Sequence, residues 1–497
     1  MSATEADAGG PSGAEAVRRL FEADHTLWRD DPTEISDRLG WIPVVAEVWR
    51  DLAALRARTD RLAEGMDHVL LMGMGGSSLF PEVLARTLEP ADGHPRLHVL
   101  DTTDPAAIQR IADSILPART LFVASSKSGS TIETRSHLEW AWSWAQHDAR
   151  FAVITDAGSE LEALARDRAF AEVFVNRSDI GGRYSALSLF GVVPGLLMGA
   201  DMEAMLHGGV HALADSGVEH GGGPALDLAV AIAAGVKSGR DKATFVIHPD
   251  AATLGLWVEQ LVAESLGKDG TGAVPIVGEA EGAPEAYGDD RVFLSFEELP
   301  QLAAAGHPVH PLPSAADPHA VGWFVVTTEL ATALVGAAIG VQPFDQPDVA
   351  AAKAATNEVL AAGGATVELT PLADLLAQVQ PGDLVALQVF GDPGDHEAHV
   401  LDEVRVALRN RLRVAVSLGF GPRFLHSTGQ LHKGGPRSIV CVQALGPDHQ
   451  EIPIPGRDFG FGHLKQAQAA GDLQTLHARG IRAGRVDLHE LLQEASA

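Results

Sequence analysis

Residues 119–146 read RTLFVASSKSGSTIETRSHLEWAWSWAQ: an apolar run, a cluster of small hydroxyls around one lysine and one glycine, then a stretch with helical spacing. A buried strand followed by a turn and a helix is the repeating arm of an α/β sheet. The wedge between strand end and helix start suits an anion, because the first helical N–H groups lack partners and the dipole is positive there. Ser126, Ser128, Ser130 and Thr131 each offer a hydroxyl, and Lys127 adds charge. A single hydroxyl is enough to cap a helix, so the surplus points to a bound phosphate. The Walker pattern G-x-x-x-x-G-K-[ST] is absent, which favours a phosphate monoester over a nucleotide.

The same alternation runs outward from this stretch. Apolar runs at 68–74, 96–101, 151–155 and 171–175 read as further strands with helical segments between them. A second series reads as strands at 243–248, 273–278, 291–296, 323–328, 383–390, 413–418 and 438–445, with helices over 257–268, 347–364 and 396–412. Continuous apolar strands alternating with helices predict mainly parallel sheets covered on both faces. The expected organisation is a disordered tail over 1–13, a helical segment over 14–64, one α/β/α sandwich domain over 65–215 and a second over 220–485. The glycine-rich SGVEHGGGPA (216–225) is the candidate linker between them. In such sheets ligands bind at the carboxyl ends of the strands.

Bulk properties narrow the function. A net charge of −29 argues against nucleic-acid or anionic-membrane binding. The single cysteine, Cys441, leaves no intrachain disulfide and fits a cytoplasmic setting. The first residues lack the basic and apolar regions of a signal peptide. No apolar run reaches the ~18 residues of a membrane span; the longest candidate, LSLFGVVPGLLMGA, is broken by Pro194.

Several other motifs carry chemistry less decisively. GMGGSSLFPEV (73–83) follows the first strand, and Gly75 and Gly76 let backbone approach a ligand closely, although a plain strand-to-helix turn uses the same residues. It lacks the dinucleotide fingerprint. In GGRYSALS (181–188), Arg183 suits an oxyanion, or a surface ion pair. Gln260 and Glu264 stand four apart among apolar residues. A carboxylate in apolar surroundings can act as a general base, while the same spacing fits the polar stripe of an amphipathic helix. In QPFDQPDVAAAKAA (342–355) a helix is expected to start at Pro347 with Asp345 or Gln346 near its cap. Gln346 and Lys353, seven apart, then share a face. FLHSTGQLHKGGP (424–436) holds His426 and His432 at a spacing unlike a zinc site.

Taken in order, these motifs resemble the glucose-6-phosphate isomerase family of the two-domain sugar isomerase (SIS) fold, over about residues 65 to 435. The resemblance is closest to the isomerase half of bifunctional transaldolase–phosphoglucose isomerase proteins, although the segment before Gly65 is too short for a transaldolase barrel. It implies that Gly76, Ser77 and Gln260 contact the sugar, and that Ser126, Lys127, Ser128, Thr131 and Gln346 hold its phosphate. It further implies Glu264 as the proton-transfer base, Arg183 as the group steadying an enediolate, and Lys353 as an aid at the ring oxygen. Ser128 departs conservatively from the family's Ser-Lys-Thr-x-Thr-Thr loop.

The family's ring-opening histidine stands in a Thr-Asn-Gly-Gln-His loop before the Phe-Asp-Gln element; here the matching STGQLH comes after it. The shared Gly-Gln context selects His432 over His426. In family members this histidine comes from the partner subunit of a dimer, so a homodimer is open here as well. The activity implied is aldose–ketose interconversion of glucose and fructose 6-phosphates, with no metal or cofactor, no nucleic acid and no membrane. The alternatives are an isomerase acting on mannose 6-phosphate and a non-catalytic sugar-phosphate-binding protein on the same fold.

Overall fold

The computed structural model describes residues 12–145, 149–312, 314–391, 394–448 and 450–496. Among the described residues, thirteen strands form three parallel sheets with helices between successive strands, so the chain is α/β. β1 (His68–Gly73), β2 (Arg96–Leu100), β3 (Thr120–Ser125), β4 (Arg150–Asp156) and β5 (Glu172–Asn176) lie in the order β2-β1-β3-β4-β5. β1 and β3 are buried almost throughout, which is why they read as unbroken apolar runs. They pair side by side, with Gly73 opposite Ser125. The strand order reverses between them, and the crevice at such a reversal is where open α/β sheets bind ligands.

The second series splits in two. β6 (Lys242–Val246), β7 (Val274–Val277), β8 (Arg291–Ser295) and β9 (Val309–Pro311) form a sheet in the order β7-β6-β8-β9. β10 (Leu384–Phe390), β11 (Ala415–Gly421), β12 (Ile439–Leu445) and β13 (Arg482–Val486) form another in the order β11-β10-β12-β13. Edge strands β7 and β11 lie near each other. Arg405, on the helix Asp395–Leu412, ties the two sheets together by donating to the Val277 carbonyl at 3.0 Å and to the Gly278 carbonyl.

Residues 323–328 are not a strand. They lie inside a 22-residue helix, Pro318–Ile339, that packs against the helices Met202–Asp215, Gly223–Lys237 and Leu254–Leu266. Its start and stop follow ordinary rules. Asp317 caps it through the Ala320 N–H (2.8 Å), Pro318 occupies the first turn, and Gly340 ends it at φ +76°. A helix buried on nearly all sides loses its polar stripe, and with it the periodicity that marks a helix in sequence. Contrary to the expectation of no such run, this helix is long and apolar enough to cross a membrane, but 78% of the relevant window is buried inside the protein. It is a core helix.

The N-terminal segment is also broken where one helical run is expected. The helices Gly13–Phe21 and Trp41–Ala63 are separated by a single 3-10 turn, His25–Leu27. The expected disordered tail lies outside the described residues up to residue 11, and Gly13 already opens a helix. The linker candidate holds a 3-10 turn, Val218–His220, and the start of the helix Gly223–Lys237.

Candidate functional site

A cleft of about 490 Å³ opens at the reversal point of the first sheet. Its walls are the loop after β1 (Gly75, Gly76, Ser77), the hydroxyl loop after β3 (Ser126, Lys127, Ser128, Thr131) and the loop after β5 that carries Arg183. Across from them stand Gln260 and Glu264 from the helix Leu254–Leu266, Gln346 and Lys353 near the start of the helix Val349–Ala361, and His426 from the turn after β11. Segments more than 300 residues apart in sequence thus converge on a volume suited to a small molecule.

Glycine is required where the first and third loops meet. A β-carbon on Gly76 would fall 1.9 Å from the Gly182 carbonyl oxygen, so any side chain there would force the loops apart and displace Arg183. The Arg183 guanidinium is buried. It donates to the carbonyls of Pro343 (2.7 Å) and Asp345 (2.9 Å) and lies 3.5 Å from the Glu264 carboxylate. Gln260 donates to Glu264 at 3.2 Å and to the His426 carbonyl at 2.8 Å. Its own side-chain oxygen is buried and has no hydrogen-bond partner among the described residues.

In the hydroxyl loop, Ser126 Oγ accepts from the Gly129 N–H (3.1 Å) and lies 3.3 Å from the Thr131 hydroxyl. Ser128 and Ser130 pair at 3.0 Å. The Lys127 ammonium is drawn aside to the Asp156 carboxylate and to the Ser178 carbonyl (2.6 Å), so it borders the cleft while already partnered. Asp348, not Asp345 or Gln346, holds the position just before the helix Val349–Ala361, and its side chain makes no capping bond to that helix. Asp345 instead accepts from the Lys268 ammonium at 2.7 Å. Burial, and then the Arg183 charge, push that ammonium down to about 7 against the pull of Asp345.

The structure does not bring His432 into the cleft. The side chain is buried under β10, where its Nδ1 accepts from the Gln388 amide at 2.9 Å and its ring stands edge-on to Phe424. The Gly-Gln context that selects His432 has another use here: Gln430 accepts from the Asp348 N–H (3.0 Å) and donates to the Asp348 carboxylate (2.6 Å), fixing the start of the Lys353 helix. His426 reaches the cleft instead. Its Nε2 lies 2.8 Å from Glu133, which also accepts from the Gln468 amide at 2.6 Å. Burial works to raise the Glu133 carboxyl, but the His426 imidazole and, behind it, Lys353 hold it at about 2. Glu133 stands in the first turn of the helix Ile132–Ala145, inside the stretch that opens the sequence reading. Nothing local marks its role, because its partner is 293 residues away.

Burial, followed by the Lys433 charge, pushes the His432 imidazole down to about 3, from an ordinary value of 6.5. A group whose folded value is depressed contributes stability above its unfolded value, and that contribution is lost as pH falls toward the folded one. His432 therefore destabilises the fold progressively below pH 6.5. His137, pushed down to about 4 by burial, acts in the same direction. Glu259 and Glu329, whose carboxyls burial pushes up, act in the opposite sense, so the share of His432 is read by difference: between pH 7 and 5 the urea midpoint of the unaltered chain is expected to fall relative to that of His432→Asn. An unchanged slope in the variant overturns the assignment.

Comparison with known proteins gives the family. The family model described as Phosphoglucose isomerase matches residues 40–271, the span from the second N-terminal helix through Glu264. Glucose-6-phosphate isomerase of Rubrobacter xylanophilus is 30% identical over 370 residues, covering 61% of this chain and 84% of that one. Glucose-6-phosphate isomerase of Thermus thermophilus is 30% identical over 415 residues, covering 71% of this chain and 95% of that one. This chain belongs to the glucose-6-phosphate isomerase family. The crystal structure of a hypothetical protein from Thermus thermophilus superposes on 69% of this family member with a TM-score of 0.60 at 28% identity, covering 94% of that chain. A glucose-6-phosphate isomerase from Chlamydia trachomatis shares the fold at a TM-score of 0.50 and 20% identity, over 62% of this chain and 73% of that one.

Proposed function

We propose that this chain interconverts D-glucose 6-phosphate and D-fructose 6-phosphate within the cleft, with Glu264 as the proton-transfer base and His426, not His432, as the ring-opening group. One observation supports it above the others. A buried carboxylate, a buried guanidinium 3.5 Å away and a cluster of hydroxyls at a helix start all face one cleft. The phosphate sits against the Ser126, Ser128 and Thr131 hydroxyls at the start of the helix Ile132–Ala145, where the positive end of the helix dipole favours an anion, with Gln346 closing over it. In this reading the sugar lies between Gly76, Ser77 and Gln260, with its reacting carbons toward Glu264.

His426, held by Glu133 at Nε2, presents its other nitrogen to the sugar. Ring opening moves the proton of the anomeric hydroxyl to the ring oxygen as the C1–O5 bond breaks. His426 carries that proton, and Lys353 assists at the ring oxygen. Glu264 then removes the proton from C2. The C2–H electron pair forms the C1–C2 double bond of a cis-enediol(ate), and charge gathers on O1. The hydroxyl proton of O2 passes to O1, the same carboxyl returns its proton to C1, and the C2–O2 bond becomes the ketone carbonyl. Arg183 supplies fixed positive charge where the oxyanion develops, which lowers the barrier more than it tightens ground-state binding.

Arg183→Ala is accordingly expected to lower kcat by about 10²–10³-fold, the usual loss for one preorganised oxyanion donor. KM for fructose 6-phosphate, read from glucose 6-phosphate formation in a coupled assay, shifts far less. A large rise in KM with little change in kcat would place the guanidinium at the phosphate.

A further inference from the structure

Away from the cleft, three histidines from two helices meet at the surface. His207 and His211 stand four apart on the helix Met202–Asp215, hence on one face. His319 is the second residue of the helix Pro318–Ile339. Each offers one ring nitrogen such that all three lie within 4.8 Å of one another. In one pair, His319 Nε2 and His211 Nδ1 are 3.0 Å apart. Imidazole nitrogens bound to zinc at ~2.0–2.1 Å are separated from each other by roughly 3–3.4 Å. That pair is at coordinating separation, and the whole cluster of ligand atoms spans no more than 4.8 Å. None of the three lines the cleft.

The placement does not depend on the histidines themselves. A β-carbon on Gly208 would fall 1.9 Å from the His319 carbonyl oxygen, and one on Gly322 would fall 1.8 Å from the Met205 carbonyl oxygen. The two helices therefore touch backbone to backbone at the level of the cluster, and no larger residue fits at either position. One turn further along, the Trp323 indole donates to the Asp215 carboxylate at 2.8 Å and joins the same pair of helices. The Trp49 ring leans on His207 with centroids 5.3 Å apart and limits how that imidazole can turn. Two ligands at i, i+4 on one helix and a third on a rigidly apposed helix make a preorganised site.

We propose that His207, His211 and His319 bind one first-row divalent metal ion, zinc being the best match, in a three-imidazole site left open to water. Three neutral nitrogen donors with no thiolate or carboxylate among them suit Zn²⁺, and also Ni²⁺ and Cu²⁺, and fit Mg²⁺ and Ca²⁺ poorly. The bound ion joins the helix Met202–Asp215 to the first turn of the long core helix, so its role is to fasten the fold and not to enter the isomerisation.

The test uses the full chain without a polyhistidine tag, freed of metal with a chelator and titrated with Zn²⁺ against a chromogenic indicator. One equivalent is expected to bind at micromolar or tighter affinity, with a higher Tm in the presence of Zn²⁺ than in its absence. His211→Ala and His319→Ala each weaken binding by about 30-fold or more and remove the Tm increase. Both keep isomerase turnover within about 2-fold, which shows that they fold. His399→Ala, at an exposed histidine elsewhere, leaves binding unchanged. Failure of the unaltered chain to bind one equivalent, or equal affinity in His211→Ala and His319→Ala, overturns the site.

Discussion

Glu264→Gln is expected to lower kcat for fructose 6-phosphate by about 10²–10⁴-fold while leaving KM within a few-fold, the range typical of a lost general base. The substitution keeps the shape of the side chain and an oxygen that can still face Arg183, now 3.5 Å from the carboxylate. It also keeps a partner for the Gln260 amide, now 3.2 Å away. It removes only the capacity to take a proton from carbon. The chemistry can be read directly: in deuterated water the unaltered enzyme exchanges the transferred hydrogen with solvent, and the variant does so more slowly by the same factor. A variant that retains most of its turnover removes Glu264 from the reaction, and the proposed mechanism with it.

The second large effect separates the two histidines. His426→Asn is expected to lower kcat on the cyclic hexose phosphates by about 10²-fold or more. His432→Asn leaves kcat within a few-fold, because His432 touches Gln388 and Phe424 and not the cleft. A tetrose 4-phosphate, whose chain is too short to close a six-membered ring, sharpens the comparison. It requires enolisation without ring opening, so His426→Asn loses much less activity on it than on glucose 6-phosphate. Equal losses on both substrates would show that His426 acts in the carbon chemistry, and a selective loss in His432→Asn would restore the other histidine. Rescue of His426 function also depends on Glu133, whose carboxylate fixes the imidazole from behind.

Strands β1, β3, β4, β10 and β12 were legible because burial on both faces leaves unbroken apolar runs. β13 was not, since its RAGRV sequence looks like a polar loop. Its arginines become acceptable in a strand only through remote partners: Arg482 pairs with Asp383 at 2.7 Å, and Arg485 donates to Gln443 at 2.6 Å. Residues 323–328 misled for the opposite reason, β-branched residues in a helix whose surroundings are apolar on nearly every side. In the site, local motifs marked Arg183, Gln260, Glu264 and the hydroxyl loop, each attached to the end of a recognisable element. The histidine was a matter of tertiary contact. Two imidazoles six residues apart differ in role because a tight turn aims one at Glu133 and leaves the other under β10, and no residue pattern distinguishes those directions.

The chain order of the cleft gives its assembly a direction in time. As the protein is synthesised, the glycine loop, the hydroxyl loop, Arg183 and the helix bearing Glu264 have all left the ribosome once residue 266 and the length of the exit tunnel have been cleared. His426 follows only after the remaining three strands of the second sheet and the first two strands of the last one. A nascent chain therefore owns the half of the cleft proposed to hold the anion, and the carboxylate opposite it, well before the imidazole of His426. Truncation late in the gene leaves a fragment with the first without the second.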